Sequence, residues 1–186
     1  SASNKAQAAA SIALSLLACC GENKVAIVKA GGIERLVAVL AGGNRDAKRS
    51  ATAALGQLTN SSENKLEILE SGGIPLLLQL MNDDPHTQES VTKILSELAK
   101  SQKAHKQAIV DAGGIESIAV ALKEGTPAAQ RFAASAFWGL ASVEEFKKRI
   151  VDVGAVPPLV SMLHKSGEAQ GHAVAALYLL AEIGEG

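Results

Sequence analysis

The chain has 186 residues, of which 47% are hydrophobic and only 3% aromatic, and its formal net charge is -1. A core of this composition must be built from Leu, Ile, Val and Ala, which favours helix over strand. The near-neutral charge argues against nucleic-acid binding, and every apolar run is too short to span a membrane. The adjacent pair Cys19 and Cys20 cannot form a disulfide framework, so we expect an intracellular protein, cytoplasmic or nuclear.

The opening segment, residues 1–21, predicts a single Ala-rich helix. Its Leu14 and Leu17 stand 41 residues before Leu55 and Leu58, which lie in the first of four longer units. We therefore interpret residues 1–21 as the third helix of a partial repeat. Full repeats are predicted over 22–62, 63–103, 104–144 and 145–186, giving one array over residues 1–186.

Each full unit predicts three helices around a glycine that recurs every 41 residues, as Gly31, Gly72, Gly113 and Gly154. A short first helix precedes this glycine, which can take the positive backbone angle that ends a helix. A second helix follows, with Pro75 or Pro157 in its first turn in two of the units. After a turn, a longer third helix completes the unit. The third helices are predicted over 45–60, 85–100, 127–142 and 168–182.

No polar capping unit precedes the opening helix, although repeat arrays normally carry caps that keep them soluble. We therefore expect either a piece of a longer array or a short array whose ends are covered by a partner. Self-association through the uncapped repeat ends is one form that such cover can take.

This period, with three helices per unit and a glycine after the first, resembles the armadillo repeat over essentially the whole chain. The residues that carry the resemblance are Asn23-Lys24 and Ala30-Gly31-Gly32-Ile33 at the junction, and Ala54, Leu55 and Leu58 in the third helix. Glu63-Asn64-Lys65 and Glu124-Gly125-Thr126-Pro127 are similar to the arrays of plant U-box ligases and vacuolar armadillo proteins. The resemblance implies an all-α solenoid, a right-handed superhelix whose third helices line a concave groove for partners.

Importin-α, a member of that family, reads basic peptides with ladders of Trp and Asn on the third helix. The equivalent Asn positions here hold Leu16, Gln57, Glu97, Gly139 and Leu179, and the Trp positions hold Ile12, Ala53, Lys93, Ser135 and Ala175. Neither ladder is present, which disfavours a nuclear-import receptor.

A helical wheel gives the exposed face of each third helix independently of the resemblance. Beyond the first unit, this face is predicted to carry Glu89, Lys93, Ser96, Glu97 and Lys100, then Arg131, Ser135, Trp138, Gly139 and Ser142, then Gly171, Ala175, Tyr178, Leu179 and Glu182. The only Trp and the only Tyr of the chain thus share one position in adjacent units. Exposed Trp and Tyr are enriched at binding hot spots.

We therefore predict a partner-binding site anchored by Trp138 and Tyr178 and flanked by Arg131, Leu179 and His172. The alternative is that Trp138 only covers the seam between two third helices, with Gly139 giving it room. Glu97, Lys93 and Gln57 complete the candidate binding residues, although alternating charges on one helix usually mark a solvated face.

No pattern in the sequence points to catalysis. The four histidines occupy different repeat positions, and none belongs to a metal-binding motif. The repeated glycines end helices and do not form a phosphate loop. We expect no catalytic residue, no metal and no cofactor. The predicted function is a non-catalytic scaffold for a protein or peptide partner. The alternative is a substrate-recruiting or structural subunit of a larger complex such as a ubiquitin ligase.

Overall fold

The computed structural model describes residues 2–18 and 20–182, and within them the chain consists of helices joined by short turns, with no β-strand. The chain forms two compact units, Ser1–Leu80 and Met81–Gly186. None of the helices in the described ranges has both the length and the apolarity that a bilayer span needs.

The first unit contains six helices whose order follows the predicted repeat. They are α1 (Ala2–Leu17), α2 (Gly21–Lys29), α3 (Gly32–Gly42), α4 (Arg45–Leu58), α5 (Ser62–Glu70) and α6 (Gly73–Gln79). The opening helix α1 packs along α4, so two third helices are neighbours, and α3 packs against α4, α5 and α6. Ala51, Leu55 and Leu58 of α4 are fully buried, as the helical spacing predicts.

The second unit contains seven α-helices and one short 3₁₀ turn. They are α7 (Pro85–Ala99), α8 (Lys103–Asp111), α9 (Gly114–Glu124), α10 (Pro127–Leu140), α11 (Glu144–Asp152), α12 (Val156–Ser161), the 3₁₀ turn Met162–His164 and α13 (Glu168–Ala181). The third helix α10 lies between two other third helices, α7 and α13, and packs against both. Phe137 of α10 fills the centre of this layer and is fully buried.

The recurring glycines end the first helices as predicted. Gly31, Gly72, Gly113 and Gly154 have φ angles of 71°, 70°, 79° and 75°, the left-handed conformation that an L side chain rarely adopts. Ser61 caps the first helix α5, because its hydroxyl accepts a hydrogen bond from the backbone N–H of Asn64 at 3.2 Å.

Three of the third helices, α4, α7 and α10, begin at side-chain caps supplied by the turn before them. Asn44 accepts a hydrogen bond from the backbone N–H of Ala47 at 2.9 Å, and Thr126 accepts one from Ala129 at 3.1 Å. Asp84 accepts two such bonds at the start of α7. These helices end one or two residues before the predicted bounds, because their last carbonyls are satisfied by turn residues and not by a further helical residue.

Polar contacts join the last two repeats of the second unit on the side of the first and second helices. The Arg149 guanidinium of α11 donates to the Glu116 carboxylate of α9 at 2.8 and 3.0 Å. Lys103 pairs with Glu145 at 3.1 Å. Lys147 contributes differently, because its side chain is only 7% exposed. Its amine pairs with Glu144 at 2.6 Å and donates to the carbonyl of Glu182, after the end of α13.

A candidate protein-binding site on the third helices

Trp138 lies on the outer face of α10, one residue after the buried Phe137. Its side chain is 39% exposed, and its indole ring stacks on the imidazole of His172 from α13. The ring centroids are 5.9 Å apart and the ring planes differ by 21°. The structure therefore brings two of the predicted site residues into direct contact. Trp138 partly covers the seam between α10 and α13 and still presents surface to solvent.

Trp138 and Tyr178 line one open cleft of about 740 Å³ on α13. Tyr178 is 64% exposed, which is unusual for so large a ring. Leu179 joins them, so three of the predicted residues share this cleft. Its remaining lining residues are Gly167, Gln170, Gly171, Val174 and Ala175.

The cleft is open at Gly171, where α10 carries a much larger residue. A Cβ atom added to Gly171 would meet nothing within 4 Å, so this position is open space. The equivalent position of α10 holds Arg131, whose guanidinium lies over the ring of Phe132 in the same helix. Because the lining is mainly apolar, the cleft suits an apolar or aromatic side chain better than a charged one.

Arg131 borders this region, but its charge is already paired. Its guanidinium forms an ion pair with Glu168 at the start of α13. The same group lies over the ring of Phe132, 4.2 Å from the ring centroid. Arg131 therefore links α10 to the start of α13 through an exposed ion pair.

The environment of His172 favours the neutral imidazole. Partial burial lowers the pKa of His172, the positive charges of Lys100 and Arg131 lower it further, and Glu168 opposes them. Its Nδ1 atom is buried and has no hydrogen-bond partner in the described part of the chain. At neutral pH, the ring that stacks on Trp138 is therefore uncharged.

Tyr178 keeps its proton for a different reason. A hydrogen bond from its hydroxyl to the Glu182 carboxylate raises the pKa of Tyr178, and the negative charge of Glu182 acts in the same direction.

The other predicted binding residues lie apart from this cleft. Glu97 of α7 pairs with Lys100 at 2.6 Å, and Lys93 lies one turn before Glu97 on the same helix. Gln57 belongs to α4 of the first unit and is half-buried. None of these three side chains lines the cleft with Trp138. Their role in binding stays a prediction.

The predicted exposed face was wrong at three positions. Ser96 and Ser135 are each only 1% exposed, and Gly139 is buried. A helical wheel describes one helix alone. It therefore leaves out the neighbouring third helices, which cover these positions. At Gly139 the approach is closest, because an added Cβ atom would lie 2.5 Å from the carbonyl oxygen of Ala99 in α7. Gly139 therefore serves the contact between α7 and α10.

Val174 and Gln170 of the cleft were missed by the sequence interpretation. The counterpart of Val174 in α10, Ala134, is fully buried. In α13 the same position is exposed. Only the packing of the helices shows this difference, so no local sequence signal could have found it.

Comparison with known proteins agrees with the repeat geometry. The model of the armadillo/beta-catenin-like repeat matches residues 22–60 and 61–100. An engineered protein of known crystal structure shares 32% sequence identity with this chain. The two structures superpose with a TM-score of 0.84 over 96% of this chain and 74% of that one. A designed armadillo repeat protein is 21% identical, with a TM-score of 0.82 over 90% of this chain and 73% of that one.

The chain belongs to the armadillo repeat family. The all-α armadillo fold predicted from the 41-residue period is therefore confirmed. Another designed armadillo repeat protein, in complex with peptide (KR)4, is 22% identical, with a TM-score of 0.83 over 95% of this chain and 76% of that one. No curated protein matched the armadillo array described here. The similarity to plant U-box arrays stays a prediction.

Proposed function

We propose that this armadillo array is a non-catalytic scaffold that binds a segment of a partner protein on the third helices of its second unit. The observation that carries the proposal is the open cleft in which Trp138 and Tyr178 both present exposed ring surface. The designed relative that holds a peptide supports the same use of the fold. The same surface would serve a substrate-recruiting subunit of a ubiquitin ligase.

The cleft favours a partner segment with one large apolar or aromatic side chain. Val174, Ala175 and Leu179 provide apolar walls, and the two rings can stack on an inserted side chain. The nearby charges of Arg131 and Glu168 neutralise each other, so they add no strong preference for a charged anchor. Because the adjacent cysteines form no disulfide framework, we place this activity inside the cell, in the cytoplasm or nucleus.

A phage library of random twelve-residue peptides, panned against the immobilised chain, tests the proposal. A parallel selection against Trp138→Ala removes peptides that bind elsewhere. We expect the remaining peptides to share an apolar or aromatic anchor. Their affinity should fall by about tenfold or more in Trp138→Ala, as is typical for a hot-spot residue.

Two further variants separate binding from folding. Gly171→Leu fills the cleft without removing a contact, so it should weaken the same peptides. Val160→Ala removes apolar surface from α12, outside the cleft, and should leave their affinity unchanged. If Trp138→Ala lowers the melting temperature while the selected peptides still bind it, Trp138 only covers a seam and the proposed anchor is wrong.

A further inference from the structure

The turn between α10 and α11 carries an exposed serine, Ser142, beside a lysine of the preceding repeat. The Ser142 hydroxyl donates to the carbonyl of Gly139 at 2.8 Å and accepts a hydrogen bond from the ammonium of Lys106 in α8 at 2.5 Å. Hydrogen bonds from an ammonium are strongest when the acceptor is an anion. A hydroxyl that already faces an ammonium group is therefore a suitable place for a phosphate.

Lys106 has no carboxylate partner within residues 2–18 and 20–182, and its printed contact is the neutral hydroxyl of Ser142. Partial burial lowers the pKa of Lys106, because the charged amine loses hydration and gains no opposite charge in return. A phosphate on Ser142 would supply the missing negative charge, since phosphoserine carries about -1.5 to -2 at neutral pH.

The two acids that open α11 do not need Lys106, because each has a lysine of its own. Glu145 pairs with Lys103 of α8 at 3.1 Å, and Glu144 pairs with Lys147 at 2.6 Å. Three lysines therefore face two glutamates around the start of α11, and one positive charge is not balanced. Repulsion between these glutamates and a phosphate is reduced by their own pairs.

The sequence after Ser142 is typical of a substrate for an acid-directed serine kinase. Ser142 is the only Ser or Thr of the chain that is followed by acidic residues at both the second and the third position, Glu144 and Glu145. Protein kinases select substrates by such charge patterns. Ser101 holds the equivalent place before α8, but Lys103 occupies its second position. Only one of the two turns therefore carries the acidic signal.

We propose that Ser142 is a phosphorylation site for an acid-directed serine kinase, and that the phosphate binds Lys106 and links α8 to the turn before α11. The Ser142 oxygen attacks the terminal phosphorus of a nucleoside triphosphate and forms a new O–P bond. The bond from that phosphorus to the bridging oxygen breaks, and its electron pair leaves with the nucleoside diphosphate. The hydroxyl proton passes to the base of the kinase.

The turn must open locally for this transfer, because Ala141 and Val143 on either side of Ser142 are buried. Once the turn closes again, the phosphate lies against the ammonium of Lys106. This site is independent of the proposed function, since Ser142 does not line the cleft at Trp138.

Incubation of the full chain with an acid-directed serine kinase and ATP, followed by mass spectrometry, tests the site. We expect one phosphate on Ser142, none on Ser101, and none at all in Ser142→Ala. A free peptide of residues 137–147 shows whether the kinase selects the sequence itself. Failure to modify the peptide, or modification of the peptide and not of the chain, would overturn the proposal.

Phosphorus NMR of the phosphorylated chain tests the role of Lys106. The second pKa of phosphoserine is about 6, and a nearby ammonium favours the doubly charged form. The phosphate should therefore titrate below pH of about 6, and Lys106→Gln should return its midpoint to about 6. Lys165→Gln is the matched control, because Lys165 also donates to a neutral side chain, that of Gln130. Equal midpoints in the wild type and in Lys106→Gln would contradict the contact.

Thermal unfolding measures whether the phosphate links the two repeats. Phosphorylation removes the bond from the Ser142 hydroxyl to the Gly139 carbonyl, so Ser142→Ala is the proper reference. We expect the phosphorylated chain to unfold about 2–4 °C above Ser142→Ala, and this difference should disappear when both chains also carry Lys106→Gln. A difference that persists without Lys106 would show that the phosphate acts through another group.

Discussion

Replacing Gly139 by alanine should destabilise the array, although alanine is the better helix former. The added Cβ atom would lie 2.5 Å from the carbonyl oxygen of Ala99 and 2.7 Å from its carbonyl carbon. Both atoms belong to the backbone of α7, so they cannot move aside as a flexible side chain could. To make room, α7 and α10 must move apart by several tenths of an ångström where they pack against each other in the second unit.

Gly171 provides the matched case for estimating the magnitude. It lies in the first turns of α13, and an added Cβ atom there meets nothing within 4 Å. Gly171→Ala should therefore show the helix-propensity gain alone, about 0.5–1 kcal/mol. Gly139→Ala has less of this gain, because it lies near the end of α10, and it suffers an overpacking cost of about 1–3 kcal/mol. We expect a net loss of about 1–2 kcal/mol.

Thermal unfolding followed by fluorescence is the appropriate assay, because Trp138 is the only tryptophan and lies beside Gly139. At about 2–4 °C per kcal/mol, the midpoint should fall by about 2–8 °C in Gly139→Ala and rise by about 1–4 °C in Gly171→Ala. Circular dichroism should give shifts of the same sign. An unchanged or raised midpoint for Gly139→Ala would refute the close approach of α7 and α10.

Three other predictions follow from buried or partly buried polar groups. Lys147→Ala should lower the free energy of unfolding, measured in urea, by about 1 kcal/mol, because the paired amine of Lys147 is nearly buried. Lys103→Ala is the control: Lys103 belongs to an exposed ion pair, so the free energy of unfolding should stay unchanged. The pKa of His172 is lower in the folded protein than in the unfolded chain, where it is about 6.5. Its contribution to stability is therefore complete above pH of about 6.5, and it should be lost as the pH falls through the lower pKa of the folded protein. The fluorescence of Trp138 should titrate with a midpoint below that value, and His172→Gln should abolish the transition. His105→Asn should raise the free energy of unfolding, measured in urea, by up to about 1 kcal/mol, because both ring nitrogens of the buried His105 lack partners in the described structure. The side-chain amide of Asn64, at the equivalent position one repeat earlier, donates to the backbone carbonyl of Leu58.

The fold could be predicted from the sequence because the repeat leaves local marks. Gly31 and its three counterparts must take a positive φ angle, and this requirement alone fixes where each first helix ends. The spacing of Leu55 and Leu58 then fixes the buried face of the third helix. Both signals belong to single helices and their turns, so they can be recognised without knowing what packs against them.

The candidate site could be predicted only in part, because it depends on contacts between helices. The shared position of Trp138 and Tyr178 was visible in the sequence, and both residues do line one cleft. The stacking of Trp138 on His172 was not visible, because it depends on the distance between α10 and α13. Ser135 was assigned to the wrong environment for the same reason: a neighbouring third helix covers a position that a single wheel leaves open.

The polar contacts on the side of the first and second helices have a mechanical consequence. In the last two repeats, the ion pairs Arg149–Glu116 and Lys103–Glu145 are partly or largely exposed. The third helices α10 and α13 also share an exposed pair, Arg131–Glu168, but they meet mainly through buried apolar side chains. Dissolved ions screen exposed charge pairs and leave apolar packing in place. As the ionic strength rises, contacts between the first and second helices of neighbouring repeats therefore weaken, while the apolar packing of the third helices stays unchanged. Salt concentration can in this way set how easily these repeats bend toward a bound segment.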